Sequence, residues 1–229
     1  MTRITSRRKL IISLLLIGAL ILLSPFVFNA GKANAASRPY QKKVRMLYFP
    51  NDKSHHYLYL DGGFKYKIKK CKSSNKGVAV VTKHKIYGQS YPVIKIKKSG
   101  SAKVKIVAKR KGSRKYKKYT TYVTALKYTN AFISFKVGNK EYADKFTKNF
   151  YYECFSGGAL DGTVLIKPAK GWTIKHISYF DDDAQADFIP LANGGRVNMI
   201  KHGSVDVVMY NKAYNLTQTF DNIIGYDFN

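Results

Sequence analysis

Ile94-Lys95-Ile96-Lys97-Lys98-Ser99-Gly100-Ser101-Ala102-Lys103-Val104-Lys105-Ile106-Val107-Ala108-Lys109-Arg110 is the stretch that decides the fold class. Apolar residues alternate with lysines on both sides of Ser99-Gly100. Successive side chains of a strand point to opposite faces, so a period of two puts one face in a core and the other in water. Gly100 between the two runs marks a turn. Upstream, Phe64, Tyr66 and Ile68 alternate with Lys65, Lys67 and Lys69; downstream, Tyr122, Thr124 and Leu126 follow the charged turn Arg110–Lys118. Asp61-Gly62-Gly63, Ser73-Ser74-Asn75 and Gly112-Ser113 punctuate these runs. Short strands at such spacing predict a β-sandwich or barrel.

The pattern continues with different punctuation. Phe132, Phe135 and Val137 lead to a turn at Gly138-Asn139, and the strand starting at Gly162 ends at Pro168. Trp172, Ile174 and Ile177 predict another strand, as do Val197, Met199 and Ile200, then Val205, Val207 and Met209, then Leu216 to Phe220. Tyr142 to Phe146 reads equally as a helical turn or a polar loop. The expected fold class is all-β, with two consecutive sandwiches after an N-terminal signal helix.

Charge divides the chain. Of the formal +28, residues 1–35 carry +5, residues 36–128 carry +24 and residues 129–229 carry −1. So sharp a step predicts a domain boundary near residue 128. Residues 1–35 begin with Arg3, Arg7, Arg8 and Lys9, run apolar from Leu10 to Phe28 and end in Ala33-Asn34-Ala35. That is a signal peptide in three parts, and Pro25 with the Ala-x-Ala site favours cleavage over an uncleaved anchor. The expected domains are therefore a signal peptide over 1–35, a lysine-rich domain over 36–128 and a second β-sandwich over 129–229. Export outside the cytoplasmic membrane, secreted or at the cell surface, excludes intracellular nucleic acid as the partner of this basic chain. The membrane is met only through the signal segment, if that segment stays uncleaved.

Lys70-Cys71-Lys72-Ser73-Ser74-Asn75-Lys76-Gly77-Val78-Ala79-Val80 resembles the bacterial immunoglobulin-like (group 2) family, in which a strand ends in a core residue, followed by Ser-Ser-Asn and Val-Ala. The run from Ile94 to Ile106 resembles a later hairpin of the same family. The likeness covers about residues 42–128, and Cys71 stands where the family often has Trp. Tyr128-Thr129-Asn130 before Phe135-Lys136-Val137-Gly138 looks like the continuation seen in exported Gram-positive proteins with such a module. The resemblance implies immunoglobulin-like sandwiches; residues 129–229 resemble no family.

The basic half holds 22 lysines and only Asp52 and Asp61 as acids. A merely solvated face, or one that blocks edge-to-edge strand pairing, normally mixes in acids. The expected function is therefore non-catalytic contact with an anionic envelope or extracellular polymer such as teichoic acid or a glycosaminoglycan. The candidate residues are Lys65, Lys67, Lys69, Lys95, Lys97, Lys103, Lys105, Lys109, Arg110, Lys111, Arg114 and Lys115. Interleaved tyrosines at 57, 59, 66, 87, 91, 116, 119 and 122 either pack the sheets or stack on sugars and bases.

Cys71 and Cys154 form a possible disulfide worth about 4–5 kcal/mol in the chain-entropy model, or else pack as small hydrophobes. His55, His56, His84, His176 and His202 show no zinc spacing, and Asp181-Asp182-Asp183 with Asp187 lacks the pattern of a calcium loop. No metal, cofactor or catalytic residue is expected. The alternatives are a wall-modifying enzyme with its site in 129–229, around Cys154 or His176, and a purely structural spacer.

Overall fold

The computed structural model describes residues 40–60, 66–86, 89–154 and 158–224. The signal segment expected over 1–35 lies outside the described residues, as do Lys65 and Tyr87. Among the described residues the chain is built of strands, with no α-helix and one short 3-10 helix, Ala143–Phe146. That helix resolves the ambiguity at Tyr142–Phe146. Glu141 Oε1 accepts the N–H groups of Phe135, Tyr142 and Ala143 at its start, and Phe146 is fully buried.

The basic half contains β1 (Lys43–Tyr48), β2 (His56–Tyr57), β3 (Tyr66–Ser73), β4 (Ala79–Ile86), β5 (Gln89–Ile96), β6 (Gly100–Arg110) and β7 (Lys117–Lys127). They form two sheets, ordered β1-β7-β6-β3 and β2-β5-β4. Placing the second, fifth and fourth strands together and the third, sixth and seventh opposite is the immunoglobulin arrangement. Here β1 joins the second group by pairing parallel to β7. The alternation quoted above explains the faces: Ala102, Val104, Ile106 and Ala108 are buried while Lys103 and Lys105 are exposed. Inner faces of both sheets meet in one cluster that includes Ile68, Val81, Ile94, Val104, Ile106 and Val123.

Ser73-Ser74-Asn75 is the turn between β3 and β4. The Ser74 and Lys103 N–H groups donate to Lys103 O and Ser74 Oγ, tying that turn to β6. Gly100 holds a φ of +137°, and a Cβ there would meet Val78 Cγ2 at 2.8 Å, so only glycine fits where the chain enters β6.

The second half contains β8 (Phe132–Val137), β9 (Lys140–Glu141), β10 (Tyr151–Cys154), β11 (Leu160–Pro168), β12 (Trp172–Asp181), β13 (Ala186–Pro190), β14 (Arg196–Ile200), β15 (Gly203–Asn211) and β16 (Leu216–Ile224). Their sheets are β10-β16-β15-β12-β13 and β14-β11-β8-β9. As in the first half, an early strand, β10, pairs parallel to the last, β16. The acidic stretch at 181–183 is the start of the β12–β13 turn, where Asp181 Oδ1 accepts the Ala184 N–H and Asp183 pairs with His202 at 2.8 Å.

The second core does not stop at the charge step. Its cluster takes in Leu47, Phe49 and Tyr128 from the basic half, together with Phe132, Phe146, Trp172 and Phe220. Phe49 sits 4.4 Å from the Tyr128 ring and 6.1 Å from Phe220, centroid to centroid. Tyr128 lies 6.2 Å from Trp172, and its hydroxyl accepts the Ala131 N–H at 3.0 Å. Beyond it the Asn51 N–H donates to Lys148 O at 3.2 Å. The end of β1 is therefore a plug for the second core.

Candidate polyanion-binding face

The outer face of the four-stranded sheet is built by register. Across β1, β7 and β6, Lys43 lies opposite Tyr122 and Tyr122 opposite Lys103, while Arg45 lies opposite Thr124. Across β6 and β3, Lys105 lies opposite Lys72 and Lys109 opposite Lys67. The Tyr122 N–H donates to Lys42 O, which turns it away from β6. Lys103 and Tyr122 thus form a non-hydrogen-bonded pair, where side chains approach most closely. Lys103 Nζ accordingly lies 5.4 Å from the Tyr122 ring centre, in cation–π range.

This face carries bases without acids among the described residues, and none of its lysines enters an ion pair there. Like charges directly opposite one another on adjacent strands are unfavourable. At about 5 Å in water each such pair costs somewhat under 1 kcal/mol. Lysines on β3, an edge strand, also serve to discourage edge pairing, but Lys103, Lys105 and Lys109 stand on β6, which is flanked on both sides. Edge protection does not account for them.

The expected residues sort into three places. Lys67, Lys103, Lys105 and Lys109 share the face, and Lys69 sits at the β3 irregularity between Ile68 and Lys70. Lys69 Nζ and Lys109 Nζ lie 5.4 and 5.3 Å from the ring of Tyr116, one of the exposed aromatics. Arg110, Lys111, Arg114 and Lys115 are exposed on the β6–β7 connection, continuous with the face. Lys95 and Lys97 are elsewhere: Lys95 is on β5 in the other sheet, Lys97 follows its last residue, and both border a cleft toward the second half. Lys43, Arg45, Lys72 and Lys118 belong to the face or its rim and were not among the expected residues, because only strand register brings them there. The tyrosines divide too. Tyr66 and Tyr119 are core, with hydroxyls 3.4 Å apart, whereas Tyr116 and Tyr122 are exposed among lysines.

The possible disulfide is not formed. Cys71 is a free thiol on β3, packed against the first core, while Cys154 ends β10 in the second half. Burial pushes the Cys71 thiol up to about 11, which leaves little thiolate for exchange. Cys154 and His176 occupy β10 and β12, with β16 and β15 between them. Register sets Cys154 level with Asp181, five residues along β12 from His176. Three strand spacings across at about 4.8 Å and that offset along the strand put them more than about 14 Å apart, too far for a nucleophile and its base.

One feature of the second half escapes the residue pattern altogether. Asp206 on β15 stands directly opposite Asp221 on β16. The Asp221 N–H donates to Phe150 O at 2.9 Å and so faces away from β15. The two residues are therefore a non-hydrogen-bonded backbone pair, the class in which facing side chains stand closest. Burial pushes Asp206 up to about 6 against the pull of a Ser204 hydrogen bond. Burial and the neighbouring Asp206 raise Asp221 well above the carboxylate range. Both carboxyls therefore favour the protonated form, and the charge of one opposes ionisation of the other.

Because the folded chain keeps Asp206 protonated to higher pH than the unfolded chain, it binds more protons from about pH 4 to about 6, and the contribution of Asp206 to stability falls as pH rises through that window. We expect Asp206→Asn to stabilise the protein by about 1–3 kcal/mol at pH 7 and to add little near pH 4. Urea unfolding of both proteins at the two pH values measures this; an equal effect of the substitution at both would show that Asp206 is not raised in the folded chain.

No known protein family matches the chain, and no curated protein matches it. Solved structures with related strand arrangements include the extracellular cadherin domains 1–4 of protocadherin gamma B7, at 12% identity and a TM-score of 0.30, covering 81% of this chain and 49% of that one. The D00-D0 domain of intimin gives 13% identity and a TM-score of 0.25, covering 82% of this chain and 96% of that one. An endo-fucoidan hydrolase of glycoside hydrolase family 107 gives 9% identity and a TM-score of 0.28, covering 87% of this chain and 30% of that one. The chain thus spans half or less of the protocadherin and of the hydrolase. Likeness at this level carries no functional argument.

Proposed function

We propose that this is an exported, non-catalytic protein of two immunoglobulin-like modules, divided near residue 128, whose first module holds anionic polymers of the envelope or its surroundings. The observation that supports this reading best is the position of Lys103 and Lys105. They stand on an inner strand, opposite Tyr122 and Lys72, on a face with no acid among the described residues. A protein that keeps like charges in register across a sheet gains when a polyanion threads between them. Teichoic acid and glycosaminoglycans fit the compartment that the basic, apolar and Ala-x-Ala parts of residues 1–35 imply.

The decisive experiment is retention on immobilised teichoic acid or heparin as salt is raised. Compartment has its own test: fractionation of intact cells should place the protein outside the cytoplasmic membrane, with a mature N-terminus at residue 36. A protein retaining residues 1–35 in the cytosol would overturn the export reading.

A further inference from the structure

The cleft bordered by Lys95 and Lys97 is a separate site from the lysine face, with a volume of about 680 Å³. That lies within the range of about 300–1,000 Å³ typical of small-ligand sites. One wall comes from the first half: Asp52 and Lys53 after β1, and Lys95 and Lys97 at the end of β5. The opposite wall is Asn149 and Tyr151, at the start of β10. The walls are held in place by the Phe49 plug and by the Asn51–Lys148 hydrogen bond described above.

Cations and a carboxylate line the same space, yet Asp52 makes no ion pair with any lysine among the described residues. Its Oδ1 accepts the Ser54 N–H at 2.7 Å and its Oδ2 pairs with His56 Nε2 at 3.3 Å, which leaves each oxygen a second lone pair. Burial works against its ionisation, but the hydrogen bonds from His56 and Ser54 prevail and hold it below the usual carboxylate range. Its charge reaches across the cleft to Tyr151, whose phenol is raised first by burial, then by Glu153 and Asp52. The cleft therefore offers ammonium groups with no anionic partner, one carboxylate acceptor, an amide and an aromatic ring.

A ligand that matches all of these has an anionic group for the lysines, hydroxyl donors for Asp52 and Asn149, and a ring face for Tyr151. We propose that the cleft binds a single acidic sugar residue through Lys95 and Lys97, independently of the polymer face. Neutral sugars lack the anion. Simple anions lack the hydroxyl donors and would meet Asp52 unfavourably. The sugar is either a free uronate or one residue of a polysaccharide.

The test is an NMR titration of the purified protein with glucuronate, glucose and glycerol 1-phosphate, followed by a glucuronate-containing oligosaccharide. Glucuronate should shift the Lys95, Lys97, Asn149 and Tyr151 amides saturably at millimolar concentrations, and glucose should not. K95Q/K97Q should weaken glucuronate by at least about tenfold, whereas K103E/K105E should leave it unchanged. A tighter oligosaccharide than monosaccharide would identify the polymer as the source of the sugar, and equal affinity the free uronate. Binding of glucose as tightly as glucuronate, glycerol 1-phosphate alone, or shifts that follow K103E/K105E would each overturn the assignment, as would no saturable shift at about 50 mM ligand. Because the two variants sit on different sheets, failure of this site and failure of the polymer face give opposite patterns.

Discussion

K103E/K105E loses retention on teichoic acid and heparin at about 0.1 M salt, while K83E/K85E is retained. The contrast follows from where the lysines stand. Lys83 and Lys85 are on β4, the edge of the three-stranded sheet, where a lysine's ordinary task is to discourage pairing with another chain. Lys103 and Lys105 occupy an inner strand, where each reversal removes a contact and places a negative charge among Lys43, Lys67 and Lys72. For a face that engages about six charges of a flexible polyanion, a fourfold rise in salt lowers affinity by roughly 300-fold through counterion release. Elution conductivity on both matrices measures the two effects together. A parent protein that elutes at low salt, or a K103E/K105E variant that elutes with the parent, would refute the polymer-binding reading.

Phe49→Ala should destabilise the second half although residue 49 belongs to the basic half by sequence. Phe49 is 3% exposed and packs against Tyr128, Phe150 and Phe220. Truncating a buried phenylalanine removes its transfer free energy and leaves a cavity, about 3–5 kcal/mol in well-packed cores. In a chain of this size that lowers the melting temperature by about 10 °C. The single tryptophan of the chain, Trp172, is buried in the same cluster and reports on it directly. We expect its fluorescence transition to move down in Phe49→Ala and to move much less in Ile106→Ala, which opens the first core. A Trp172 transition that ignores residue 49 would show that the plug does not support the second core.

Much of the fold was legible residue by residue. The Lys103/Val104/Lys105/Ile106 alternation marked a half-buried strand with one wet face, and Ser73-Ser74-Asn75 marked a turn. The site was legible in composition but not in shape. Lys95 and Lys97 have the same local pattern as Lys103 and Lys105, yet they sit on the other sheet and border a cleft. Nothing in a period of two says which of two sheets a strand joins. Asp206 and Asp221 lay beyond any motif, because their contact arises from pairing two strands in one register.

By itself, then, the sequence determined the all-β class, the inward face of most strands and the separation of a basic half from a near-neutral one. These follow from side-chain alternation and net charge, which are local properties. Tertiary structure alone decided which lysines share a surface, that Cys71 and Cys154 do not pair, and that Phe49 serves the second core. It also created the facing, half-buried carboxyl pair and the cleft between Asp52 and Tyr151. Each depends on contacts between residues distant in the chain, and those are set by sheet order and register, which alternation leaves open.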